Sequence, residues 1–186
     1  MIKLYKPLAV VLISLAFIQC SDNKFSIAKG KVGPLTVKTQ IQELEKIFSN
    51  DSIVKVLSEG AKGDNLFQDD DQYLIYEKGG NHLLTITPKE QLDSTSTIKS
   101  IEVFDNRYNT KSGLTIKSNF QDININNKIS KVESTFSSAT LFIDDLNATI
   151  TIDNEELGLK DFSTQKVTID QIPDLAKIKS LTVWFN

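Results

Sequence analysis

Few side chains in this sequence could do chemistry. The chain has one histidine, His82, and one cysteine, Cys20. His82 follows a Gly79-Gly80-Asn81 turn, where an isolated imidazole is ordinarily solvated. A serine hydrolase would need a GxSxG elbow and a partnered histidine, and the sequence offers neither. Ser-x-x-Lys occurs at Ser21, Ser26, Ser52, Ser96 and Ser163, without the companion motifs that give it meaning. The glycines are scattered and make no phosphate-cradling loop. Asp69, Asp70 and Asp71, with Asp64 nearby, are the weak candidates for a cation site. They lack the alternating Asp-x-Asp spacing and distal Glu of a calcium loop, so the expectation is no metal and a solvated, charge-blocked strand edge. These residues point away from an enzyme, and no cofactor is expected.

Binding is the chemistry that remains, and aromatic side chains are its usual carriers. The phrase IKSIEVFDN, residues 98–106, returns as IKSLTVWFN, residues 178–186. On a strand, Ile101 and Val103 (Leu181 and Val183 in the second copy) share one face. Phe104 and Trp184 fall on the other, which should be polar. The reading favoured here buries both rings where two units pair. The competing one makes Phe104 and Trp184, with Tyr76, a partner-binding patch on an open sheet.

The elements that position these residues are themselves duplicated. LTVKTQIQEL (35–44) aligns with LTIKSNFQDI (114–123), and LTITPKE (84–90) with ITIDNEE (150–156). Three blocks in the same order define two tandem repeats of about eighty residues, 29–107 and 108–186. Each repeat carries one private segment, residues 58–72 or 158–174. Thr39-x-x-Gln42 and Ser118-x-x-Gln121 read as capping boxes opening a helix in each repeat, with Ile41, Leu44, Ile47 and Phe48 on one face. YLIYEKGGNHLLTIT reads as a hairpin with TLFIDDLNATITID as its counterpart. The expected fold class is therefore α+β: two repeats, each a helix packed on an antiparallel sheet.

Residues 1–20 read as a signal rather than as part of the fold. Lys3 and Lys6 precede an apolar run over 7–18, which is too short to span a bilayer. The run ends at Cys20, and in that it resembles a bacterial lipoprotein signal, whose cysteine is acylated and becomes the new N-terminus. The resemblance implies palmitate-type lipidation at Cys20 and residues 21–28 as a polar tether. The net charge of −3 becomes more negative once the two lysines leave, so the basic footprint of nucleic-acid binding is missing. Asn147-Ala148-Thr149 fits an N-glycosylation sequon.

The pattern IKSIEVFDNRYNTKSGLTIKSNFQDI carries Tyr108, Thr110, Gly113 and Leu114 between a strand and a helix cap. It resembles flavobacterial lipoproteins of the Bacteroidetes, a family that brings no catalytic motif with it. The functional expectation is a lipid-anchored cell-envelope protein, periplasmic or at the outer-membrane surface, acting as a non-catalytic binding or assembly module. Its partners would be the membrane, through the lipid, and an envelope protein or glycan, with no nucleic acid. The alternative is a small-molecule or glycan-binding lipoprotein with a pocket between the repeats.

Overall fold

Alternating apolar residues write the long strands of this chain. A computed structural model describes residues 23–58, 70–160 and 162–185. Residues 1–22, on which the expected signal and Cys20 fall, and also Asp64 and Asp69, lie outside the described residues. Twelve strands form two sheets. The short strands β1 (Ser26–Ala28), β2 (Lys31–Val32), β3 (Leu35–Thr36) and β8 (Asn109–Thr110) make a four-stranded sheet in the order β3-β2-β1-β8. An eight-stranded antiparallel sheet holds β4 (Ser52–Val56), β5 (Gln72–Tyr76), β6 (His82–Pro88), β7 (Ile98–Val103), β9 (Ile129–Ser134), β10 (Ser138–Ile143), β11 (Ala148–Asp153) and β12 (Ser180–Trp184). Its order is β4-β5-β6-β7-β12-β11-β10-β9.

The expected α+β class is overturned: the chain is mostly β, and its helices are α1 (Leu44–Ile47) and α2 (Phe120–Asn126), of four and seven residues. The apolar face read in the first helix is real, with Ile41, Leu44 and Phe48 buried. Those three anchors are supplied by one 3-10 turn and one α turn, and the backbone leaves the helical region at Phe48. Asparagine-rich α2 ends as soon as Phe120 and Ile123 are buried, because asparagine prefers caps and turns to helix interiors. The caps also sit one residue later than the sequence suggests. Gln40 N–H donates to Glu43 at 2.7 Å, and Asn119 exchanges bonds with Asp122 at 3.0 Å each way. Thr39 and Ser118 instead accept from the backbone N–H three residues earlier, Thr36 and Thr115, at 3.0 and 3.1 Å. Ser26–Ala28, expected as tether, is a strand, with Ile27 buried in the core.

The two long halves meet at β7 and β12. Glu102 lies opposite Thr182, and Ile101 and Val103 lie opposite Val183 and Leu181. These are the residues that the repeated phrase aligns with one another, so a pseudo-two-fold axis passes between Glu102 and Thr182. Counting outward from this seam moves one part of the alignment. Leu84 pairs with Val103, and Ala148 pairs with Val183, so LTIT at 84–87 corresponds to ATIT at 148–151. That is two residues away from the match taken on sequence alone. A slip of two keeps every side chain on its face, so periodicity cannot detect it.

One face of the large sheet is the core. Ile75, Leu84, Ile86, Ile101, Val103, Leu141, Ile150, Leu181 and Val183 are all buried there. The small sheet and the capped turns cover them through Leu35, Leu44, Tyr108, Leu114, Phe120 and Ile123. Gly33 lets the small sheet close against residue 24. Its φ is +55°, and a Cβ on it would stand 2.4 Å from the Lys24 carbonyl oxygen. The opposite face of the large sheet is only partly buried, and it carries the residues that bear on function.

Candidate functional site: the open sheet face

Strand alternation sends Leu74, Thr85, Glu102, Thr182, Thr149 and Phe142 in one row across the open face, as their successive pairings show. The floor is rich in hydroxyls. Glu102 sits at its centre beside the pseudo-two-fold axis, and no hydrogen bond or ion pair reaches it among the described residues. Partial burial raises its pKa above the ordinary carboxylate value.

The aromatic residues stand on either side of Glu102 along the seam. Trp184 is opposite Ser100, and Phe104 lies four residues further along β7, about 13 Å away. The two rings are therefore not packed against each other, and the expectation that pairing of the repeats buries both is corrected by this register. Phe104 is 43% exposed. Its partner is His82, stacked on it at 3.9 Å between centroids, with Tyr76 stacked on the imidazole at 4.7 Å. A bulge produces this arrangement. Leu84 pairs with Ile75 but His82 with Tyr76, so Leu83 and Leu84 both enter the core and His82 emerges beside Thr85. Sequence reasoning left His82 in solvent because the bulge has no signature in residue types.

His82 Nε2 lies 3.1 Å from both the Leu84 carbonyl and the Thr85 hydroxyl. The carbonyl only accepts, which assigns the proton to Nε2. Thr85 then faces a donor, so this hydroxyl–imidazole pair is not a nucleophile with its base. Burial lowers the His82 pKa, and the contact with the Leu84 carbonyl partly offsets this.

The other half of the face is built differently. Asp144, next to Ile143 on β10, occupies the place that Tyr76 holds next to Ile75 on β5. Beside it opens a groove of about 450 Å³ lined by Thr140, Phe142, Asp144, Asn147, Thr149, Thr151 and Trp184, among others. Trp184 is fixed there by three bonds. Its Nε1–H donates to Thr149 at 3.0 Å, its backbone N–H to the Asn147 carbonyl at 2.8 Å, and its carbonyl accepts from the Asn147 amide at 2.9 Å. Asn147 has φ +49°, a region that asparagine tolerates better than most residues. The sequon side chains Asn147 and Thr149 are thus engaged in holding Trp184.

The acidic candidates belong elsewhere. Asp70 pairs with Lys99 at 3.0 Å and accepts from Gln91 at 2.8 Å. Asp71 is fully buried and accepts from Ser58 N–H, Ser58 Oγ and Leu92 N–H at 2.7, 2.9 and 2.6 Å. Burial alone would raise its pKa, but these bonds hold it below the ordinary aspartate value. Asp71 is a structural clamp rather than a solvated edge charge. Among the described residues no cluster of three or more His, Cys, Asp or Glu could hold a metal.

No family model and no curated protein matches this chain. Among solved structures it is similar to the crystal structure of the uncharacterized protein yfeY from Escherichia coli. The identity is 13%, over 87% of this chain and 99% of that one, with a TM-score of 0.50. At this identity the likeness is one of fold.

Proposed function

We propose that the chain is a lipid-anchored cell-envelope protein working as a non-catalytic binding module, with the open face of its eight-stranded sheet as the binding surface. One observation carries the reading: Tyr76, Phe104 and Trp184 all stand on the face that the chain's own small sheet leaves uncovered. Glu102, whose carboxylate has no cation or donor among the described residues, adds a directional group at the centre. The anchor rests on Cys20 and the apolar run before it.

The test has two arms. Cys20→Ala should release the protein from membranes on cell fractionation, and unchanged membrane association would overturn the anchor. Titrating the full chain with solubilised envelope fractions should shift Trp184 emission saturably, with Phe104→Ala or Glu102→Gln weakening the response. A silent Trp184 would overturn the open face as the binding surface. A second reading, a small-molecule or glycan binder, is favoured by the groove at Trp184, which lies beside the seam rather than between the repeats.

A further inference from the structure

The pseudo-two-fold turns one half of the open face into a guide to the other. Phe104 and Trp184 are equivalent, and so are the strands flanking them. In the first half, a flat ring from the chain itself, His82, lies on Phe104 at 3.9 Å, and Tyr76 closes the stack. In the second half Asp144 stands in the place of Tyr76, and no ring of the chain stacks on Trp184 among the described residues. Where the first half has this stack beside Phe104, the second has a groove beside Trp184.

The lining of this groove says what kind of ring would enter. Trp184 and Phe142 supply aromatic surface, and Thr140, Thr149 and Thr151 supply hydroxyls. Asp144 receives the Ser130 hydroxyl on one oxygen at 2.7 Å, and its other oxygen has no partner among the described residues. No basic side chain lines the groove. Lys131 lies over the Phe142 ring at 5.4 Å, and Lys29 donates to the Asp144 backbone carbonyl at 3.3 Å, so the rim is close to neutral. Because the indole N–H is already bonded to Thr149, Trp184 offers a ring held in place and not a hydrogen-bond donor. Aromatic surface beside several hydroxyls and one carboxylate suits a ligand ring with an apolar C–H face and a hydroxyl-bearing edge. A neutral pyranose has both. A flat heteroaromatic ring would use the aromatic surface and leave the hydroxyls and Asp144 unmatched.

We propose that the groove beside Trp184 is a subsite for a neutral sugar ring, with Asp144 and Thr151 bonding its hydroxyls. This rests on the open face being a binding surface and names what one part of it takes. Trp184 is the only tryptophan of the chain, so its emission is a probe placed in this groove. The full chain would be titrated with maltotriose, cellotriose and N,N′-diacetylchitobiose, with indole and adenosine as flat-ring comparators. Binding would be followed by Trp184 fluorescence and by backbone amide shifts.

At least one saccharide should give a saturable change centred on Trp184, Thr149 and Thr151. Asp144→Ala should weaken it about tenfold. Calorimetry should find Trp184→Phe still binding and Trp184→Ala silent. Saturation by indole or adenosine alone, or shifts centred on Phe104, would overturn the proposal. So would no response to any saccharide at tens of millimolar. If the sugars are silent while envelope fractions still shift Trp184, the subsite falls and the binding module stands. If both are silent, both fall.

Discussion

At the scale of single residues, buried Asp71 and half-buried His82 both answer to pH. Asp71 has a folded pKa below its ordinary value, so it stabilises the fold above the unfolded aspartate range. That contribution is lost as pH falls through the folded pKa. Asp71→Ala should cost about 1–3 kcal/mol for each stranded backbone amide in urea unfolding at neutral pH, and the cost should shrink in acid. A neutral-pH stability equal to the parent's would refute the clamp. His82 is also depressed, so its stack with Phe104 is fully formed above the ordinary histidine range and weakens as pH falls through the lowered pKa. An NMR titration should place its midpoint below 6.5 and move it back towards that value in Phe104→Ala. Neither role could be read from the sequence. Asp71 sits in an acidic run that looks like a solvated edge, and His82 follows a turn that looks exposed. The carbonyls, amides and bulge that decide both cases come from residues far along the chain or from backbone geometry.

At the scale of elements, caps and turns carry much of the local specification. Asn119→Ala removes the acceptor for Asp122 N–H and should cost about 0.5–2 kcal/mol, read as a lowered unfolding midpoint. Gly33→Ala should destabilise by more than 1 kcal/mol, because it adds a left-handed backbone penalty to a contact with the Lys24 carbonyl that cannot relax. A Gly33→Ala protein as stable as the parent would show that β2 and β3 do not need this turn. Sequence periodicity located the buried positions Ile41, Leu44 and Phe48, with Ile47 partly buried beside them, yet the helix it implied lasts only about a turn. A single helical turn satisfies the same spacing as a long helix, so the pattern says which residues go inward and not for how long the helix persists. The two-residue slip between LTIT and ATIT has a similar cause, since a strand repeats its face every second residue.

At the scale of the whole molecule, the eight-stranded sheet crosses the repeat boundary without interruption. Leu181 and Val183 on one side of the seam belong to the same core as Ile101 and Val103 on the other. Unfolding should therefore be a single transition. Trp184 emission reports the second repeat, and amide exchange in β5 and β6 reports the first. The two should give coincident midpoints in urea, and separated midpoints would show two independent units. The outer strands β4 and β9 close the sheet with charge: Lys55 pairs with Glu45, and Lys131 with Glu133. The inner strands β7 and β12 need no such protection, because each covers the other. A strand that pairs antiparallel with its own copy, with Glu102 opposite its equivalent Thr182 and the flanking pairs exchanged, has the geometry of an isologous homodimer interface. Seen in this way the seam has the form of a dimer contact held within one chain. Its two sides differ: one half stacks its aromatic ring on His82, and the other ties its counterpart down through the indole N–H on Thr149.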